Sequence, residues 1–231
     1  MELNFRKAFG TLGPSLWGGI GIVLYITLAG FAFALIAALL IAIGRLSKNL
    51  VLSRFLAIII ELIRGTPLLV QLFYIYYVVP TVINGILTAL GYEANIQLKA
   101  STCGIIGFAI NYGCYMSEVI RSAILAVDPG QREAGLALGF SERKVLFHFI
   151  IPPALRNSVP VFGNYLVMLI KDTSLLAMIS VQELLLRTKT YASQTFLTVE
   201  AYTILALVYL MLSIPLSQLS AVVERRLKRT P

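Results

Sequence analysis

The sequence predicts an all-helical integral membrane protein with five spans, and three observations carry that reading. No Asp, Glu, Lys, Arg or His occurs between Lys7 and Arg45, and about 20 apolar residues at 1.5 Å each suffice to cross the hydrocarbon core. The chain is 58% hydrophobic and only 13% charged, with a mean hydropathy of +0.84, against roughly 25% charged residues in soluble domains. Its 19 Lys and Arg residues gather between the apolar runs, where membrane edges are expected.

The first span runs from about Leu16 to Gly44. It far exceeds the roughly 7–15 apolar residues of a signal peptide, and lacks a small-residue cleavage site with a soluble domain behind it. The second runs from Phe55 to Ile83 and is punctuated by Gly65-Thr66-Pro67. There Thr66 is expected to cap a restarted helix and Pro67 to take its first helical position. The third covers Ala100 to Ser117 and continues as helix toward Val127. The fourth begins near Asn157 and is interrupted by Lys171-Asp172, and the fifth covers Phe196 to Val223.

Cations counted by side fix the orientation. Arg45, Lys48, Arg54, Arg121, Arg132, Arg143, Lys144, Arg156 and the four in the tail from Arg225 to Arg229 fall on one side. Arg6, Lys7, Lys99, Arg187 and Lys189 fall on the other. The richer side is cytoplasmic, so the amino terminus lies outside and the carboxyl terminus inside, in agreement with an odd number of spans. No internal repeat or low-complexity linker divides the chain, which reads as a single domain over residues 1–231.

Several function classes are excluded. The net charge of +8 sits at membrane edges, whereas nucleic-acid binding needs a soluble basic face interleaved with aromatics. Cys103 and Cys114 lie eleven residues apart on one expected helix, about 16 Å along its axis, beyond the ~7 Å that a disulfide allows. His148, the one histidine, has no Cys, Asp or Glu at ligand spacing, so no metal site is expected. There is no phosphate-binding Gly-x4-Gly-Lys-[Ser/Thr] motif and no nucleophile–base–acid set. The chain itself is expected to carry no cofactor and to catalyse no covalent chemistry.

The long cytoplasmic loop, about residues 128–156, is the most informative segment. Glu133-Ala134-Gly135-Leu136-Ala137-Leu138 reads as a short helix of good formers, which Gly139 ends in the left-handed conformation. Phe140 follows, then Ser141 as N-cap with Glu142 in the first turn of a second helix, which stops at Pro152-Pro153. The product is a helix–Gly–helix elbow with Leu136, Leu138 and Phe140 as apolar knobs. It is either a surface linker or a docking knob for a partner's groove.

The register of that loop resembles the coupling loop of ATP-binding-cassette importer permeases, Glu-Ala-Ala, three residues, Gly, nine residues, Ile-x-Leu-Pro. Here it stands as Glu133-Ala134-Gly135, Gly139 and Phe149-Ile150-Ile151-Pro152, departing at Gly135, Phe149 and Ile151. Glu61-Leu62-Ile63-Arg64-Gly65-Thr66-Pro67-Leu68-Leu69-Val70-Gln71, Ser117-Glu118-Val119-Ile120-Arg121, Val127-Asp128-Pro129-Gly130-Gln131 and Lys171-Asp172-Thr173-Ser174-Leu175 are similar to segments of the polar amino acid uptake permeases. In joint order and spacing they are specific, and the resemblance covers nearly the whole chain.

The resemblance implies a type I ABC importer permease fold (MetI-like) in the bacterial cytoplasmic membrane. It implies pairing with an identical or related permease, a cytoplasmic ABC ATPase dimer that binds ATP and Mg, and an extracytoplasmic solute-binding protein. The cargo would be a polar amino acid, carried by alternating access. The rival readings are an ATP-independent transporter or channel, which would predict inverted repeats or mid-span ion-coupling carboxylates, and a non-transporting assembly protein.

Polar groups inside apolar spans are the candidate pathway residues. An ionised residue at a helix centre costs about 2.5–3.5 kcal/mol on insertion scales, so such residues face cavities or pair. Lys171 and Asp172 are expected either to pair at the outer edge or to line the pathway where the fourth span breaks. Glu61 either pairs with Arg64 one turn away or faces the pathway. Gln71, Asn111, Tyr115 and Asn164 are interhelical hydrogen-bonding groups or, as a set, substrate contacts. Glu118 and Arg121, again one turn apart, are expected to pair locally.

Overall fold

Asn4 and Asn49 open the first two helices. The Asn4 side chain accepts from the Lys7 amide to start α1, Phe5–Arg45. Asn49 accepts from Val51 and Leu52 to start α2, Leu50–Arg64. In this computed structural model residues 3–93 and 95–228 are described, the side chain of Lys228 excepted. The chain continues through α3, Leu68–Ala89, and α4, Ala100–Leu125. Then follow α5, Pro129–Ala137, α6, Glu142–Ile179, α7, Leu184–Thr195, and α8, Thr198–Lys228. Among the described residues five helices are long and apolar enough to cross a membrane: α1, α3, α4, α6 and α8. The expected all-helical five-span architecture is therefore present. The last two basic positions of the tail, the Lys228 side chain and Arg229, lie outside the described residues.

Several expected boundaries move, each for a local reason. At 41 residues, α1 is about 61 Å long, twice the hydrocarbon thickness. Its amino-terminal part, Ala8, Leu12 and Leu16, is buried against Leu184, Ala192 and Ala201 of α7 and α8. The second segment divides into α2 and α3. The pyrrolidine of Pro67 removes an amide and drives Thr66 out of the helical region. Thr66 does not cap the restarted helix: Pro67 is the N-cap residue, and the Thr66 hydroxyl turns back to the Leu62 and Ile63 carbonyls. The fifth helix starts at Thr198 because Phe196, 82% exposed, sits at φ +59° where α7 ends.

The fourth span begins at Glu142 rather than Asn157. Pro152 and Pro153 do not stop the elbow's second helix. A π turn over Leu146–Ile150 precedes them, and the Ile151 amide reaches the Leu146 carbonyl. That widened turn absorbs the missing amides and the ring clash that would break a regular helix. After Asp172 the same helix tightens into a 3₁₀ segment, Thr173–Ile179.

Small residues bring α1 and α4 together. Gly30, Ala34, Ala38 and Ala42 form a buried stripe at four-residue spacing on α1, and the α4 residues Phe108 and Gly113 approach that helix closely. A Cβ on Gly30 would stand 3.1 Å from that of Phe108, and one on Gly113 would stand 3.0 Å from that of Ala37. Where lipid is as apolar as the side chains, close backbone approach is the main source of helix association. Both cysteines are buried on α4 and free.

Candidate functional site

The break between α2 and α3 is held open by Gln71. Its amide nitrogen donates to the Ile63 carbonyl at 2.7 Å and to the Thr66 carbonyl and hydroxyl at 3.1 and 3.0 Å. Its oxygen accepts from Asn111 of α4 at 3.1 Å. Gln71 thus satisfies backbone that the interruption would leave unpaired at membrane depth, and fastens the break to α4.

Beside that break lies a cavity of about 390 Å³ lined by Arg64 to Leu68, by Asn111, Tyr112 and Tyr115 of α4, and by Tyr165, Met168 and Asp172 of α6. Three tyrosine rings form its wall. Tyr112 and Tyr165 meet edge to face at 5.9 Å, and Tyr115 lies 6.4 Å from Tyr165. The Arg64 guanidinium sits 5.1 Å over the Tyr115 ring, a cation–π arrangement that leaves its N–H edge available. Opposite in sign, Asp172 accepts a 2.7 Å hydrogen bond from the Tyr112 hydroxyl. Neither Arg64 nor Asp172 makes an ion pair among the described residues. The site therefore presents one cation and one carboxylate on an aromatic wall. A second, more open groove of about 520 Å³ lies farther along α3, lined by Val70, Phe73, Tyr74, Tyr77, Val78 and Met178.

The cavity brings together three of the seven residues expected on the pathway: Asn111, Tyr115 and Asp172. Gln71 stands behind it as a brace. Glu61, Asn164 and Lys171 are exposed and outside the lining. Glu61 and Arg64 do not pair, and neither do Lys171 and Asp172. Neighbours on a helix diverge by about 100°, so Asp172 turns inward while Lys171 turns away. Glu118 and Arg121 do pair at 2.9 Å, and Glu118 also reaches Arg45 at 3.6 Å. Sequence reasoning missed Arg64, Tyr112, Tyr165 and Met168 as lining. The available signal was the spacing Tyr165, Met168, Asp172, one helical face ending at the carboxylate.

At the far end of α4 the elbow takes the expected shape. Gly139 adopts φ +82°, its amide donates to Leu136 and that of Phe140 to Gly135, a Schellman closure. Ser141 occupies the N-cap position but makes no side-chain capping bond, and Glu142 follows in the first turn. Glu142 is paired with Arg132 at 2.7 Å and with Lys48 at 3.9 Å. Gly135 packs beneath Val145, whose Cγ2 would lie 2.9 Å from a Cβ there. Leu138 and Phe140 are exposed, and Phe140 lies 5.3 Å from Phe149. Leu136 instead packs inward against the main core. Glu133 and Ala134 lie on the exposed side of α5, and His148 is exposed, its Nδ1 3.0 Å from the Lys144 carbonyl.

Known proteins place this architecture. Residues 30–229 match the family described as binding-protein-dependent transport system inner membrane component. The chain is 38% identical to the L-cystine transport system permease protein TcyB of Bacillus subtilis, over 94% of this chain and 88% of that protein. It is 34% identical to the glutamine transport system permease protein GlnP of Escherichia coli, over 93% and 94%. Among solved structures, an amino acid ABC transporter crystallised with histidines matches at TM-score 0.83 and 31% identity, covering 98% of this chain and 100% of that one. An inward-facing form of the MetNI methionine ABC transporter, 14% identical at TM-score 0.61 over 90% and 94%, shares the fold. The chain belongs to the family of binding-protein-dependent transport system inner membrane components, and is a transport permease subunit rather than an enzyme.

Proposed function

We propose that this chain is the permease subunit of an ATP-driven importer that moves a polar amino acid across the bacterial cytoplasmic membrane by alternating access. The observation that carries the reading is the cavity between Arg64 and Asp172. An α-amino acid is a compact zwitterion, and the cavity offers a guanidinium for its carboxylate and a carboxylate for its ammonium. The names of the relatives, L-cystine, glutamine and amino acid transporters, support the same substrate class.

The whole chain acts as one transmembrane unit with its amino terminus outside. The loop of about residues 128–156 couples it to a separate ATPase dimer that binds ATP and Mg, with Leu138 and Phe140 as the knobs. A second permease, identical or related, completes the pathway, and an extracytoplasmic solute-binding protein delivers substrate. Glu61, Asn164 and Lys171 are exposed, which supports a second subunit or a water-filled path beside them, because lipid does not solvate such groups. ATP binding closes the ATPase dimer and the elbow transmits that movement to the cavity; this chain contributes the bistable element.

Vesicles containing this chain, its ATPase and its binding protein test the proposal. Uptake should require ATP. Gly139→Asp should abolish it and release the ATPase in a pull-down. Flux from vesicles lacking any nucleotide-hydrolysing partner would refute it.

A further inference from the structure

The charge inventory of the cavity restricts the cargo further, granted the amino acid reading above. Its lining contains one guanidinium, Arg64, and one carboxylate, Asp172, and no third Asp, Glu, Lys, Arg or His. Glu61 and Lys171 lie outside the lining. The Tyr112 hydroxyl occupies one position on the Asp172 carboxylate through Oδ2, leaving Oδ1 to accept from an ammonium. The Arg64 guanidinium is stacked on Tyr115, which leaves its planar fork free for a carboxylate.

A bound α-amino acid uses both charges on its own backbone groups. Its side chain is then left with uncharged surface: three tyrosines, Met168, and the Asn111 amide, whose nitrogen is already donated to Gln71. We propose that the cavity selects amino acids whose side chains carry no net charge, and rejects cationic and anionic ones. A charged side chain there meets no counter-charge in the lining beyond those already engaged, and a like-charged contact is unfavourable.

The test uses the complex of this chain with its ATPase in lipid nanodiscs, without the solute-binding protein, so that the permease cavity alone is read. Equilibrium binding is measured for L-glutamine, L-arginine and L-glutamate. Glutamine should bind at least about tenfold more tightly than the other two. Met168→Glu adds a carboxylate to the wall and should move the preference toward arginine by about tenfold, while Met168→Gln, similar in size, should not. Arginine or glutamate binding as tightly as glutamine would overturn the neutrality proposal and leave the amino acid reading standing. An unmoved preference in Met168→Glu would overturn it equally. Failure of all three to bind would overturn the amino acid reading, and this proposal with it.

Discussion

The Tyr112 hydroxyl donates to the Asp172 carboxylate across 2.7 Å, tying the middle of α4 to the point where α6 tightens into its 3₁₀ segment. The bond has two separable roles, one in holding two spans together and one in setting the carboxylate that faces the cavity. Tyr112→Phe removes the donor and should lower the stability of the purified complex by about 1.5–3 kcal/mol, the range for a hydrogen bond to a charged group. Asp172→Asn retains an acceptor and should melt close to wild type while uptake falls more than about tenfold through loss of the ammonium partner. Thermal melting and uptake measured side by side check both. Equal loss of stability in the two variants would mean the charge serves only the fold.

Arg64 is held by stacking rather than by an ion pair, so its role should depend on guanidinium shape. Arg64→Lys keeps the charge but loses the planar fork and much of the aromatic contact. It should raise the KM for uptake with little change in protein yield, and Arg64→Gln should reduce uptake further. Transport kinetics in vesicles distinguish this from a purely structural role, which would lower the amount of folded complex in both variants alike.

What could be read from the sequence depended on how local each cause was. The spans follow from unbroken apolar runs, and the turn at Gly139 from a glycine between helix formers. Both are set within a few residues. The cavity is different, because its residues come from three helices and only their packing decides which face inward. Asp172 was visible as a charge inside an apolar stretch, yet nothing local separated it from Lys171. Helical spacing offers Glu61 as one partner for Arg64, but Tyr115, fifty-one positions away, takes it instead. Gln71 reads either as an interhelical hydrogen-bonding group or as a substrate contact; its bond to Asn111 agrees with the first, while its bonds to the broken backbone are evident only in three dimensions. Pro152-Pro153 reads as a stop before the fourth span, and the π turn that tolerates them leaves no mark in composition.

The elbow should be sensitive to backbone geometry at Gly139 and to volume at Gly135. A side chain at φ +82° costs about 1–2 kcal/mol, so Gly139→Ala should loosen the elbow and reduce the ATPase retained through purification. Gly135→Ala brings a methyl to 2.9 Å from Cγ2 of Val145, which is buried and can yield only by leaving its preferred rotamer, so it too should loosen the elbow. Gly135→Leu is bulkier still and should match or exceed Gly139→Ala. The ratio of ATPase to permease in the eluted complex is the readout.

The α1–α4 seam should tolerate no added bulk. A Cβ at Gly113 already stands 3.0 Å from the Ala37 Cβ, with the Ala34 carbonyl oxygen 3.5 Å away, and these are short or backbone groups that cannot swing aside. Gly113→Leu should therefore destabilise by about 1–3 kcal/mol or more, as over-packing does. Gly85, with open space around its Cβ position, is the matched control. Membrane yield and melting of the two variants should diverge clearly.

Glu183 gives the protein a specific dependence on pH. It lies in the connection before α7, fully buried, and caps that helix by accepting from the Leu185 and Leu186 amides and from the Tyr209 hydroxyl. Burial pushes its carboxyl up despite those hydrogen bonds, which pull it down. An acid whose pKa is higher folded than unfolded binds more protons in the folded state. Its contribution is therefore present below the unfolded value of about 4.3 and is lost as pH rises through the folded value. Glu183→Gln removes this titration. The difference in Tm between wild type and variant should shift in favour of the wild type as pH is lowered from neutrality toward 5, every other group cancelling in the comparison. A difference that is flat with pH, or that moves the opposite way, would show that the capping hydrogen bonds rather than burial set the protonation of this carboxylate.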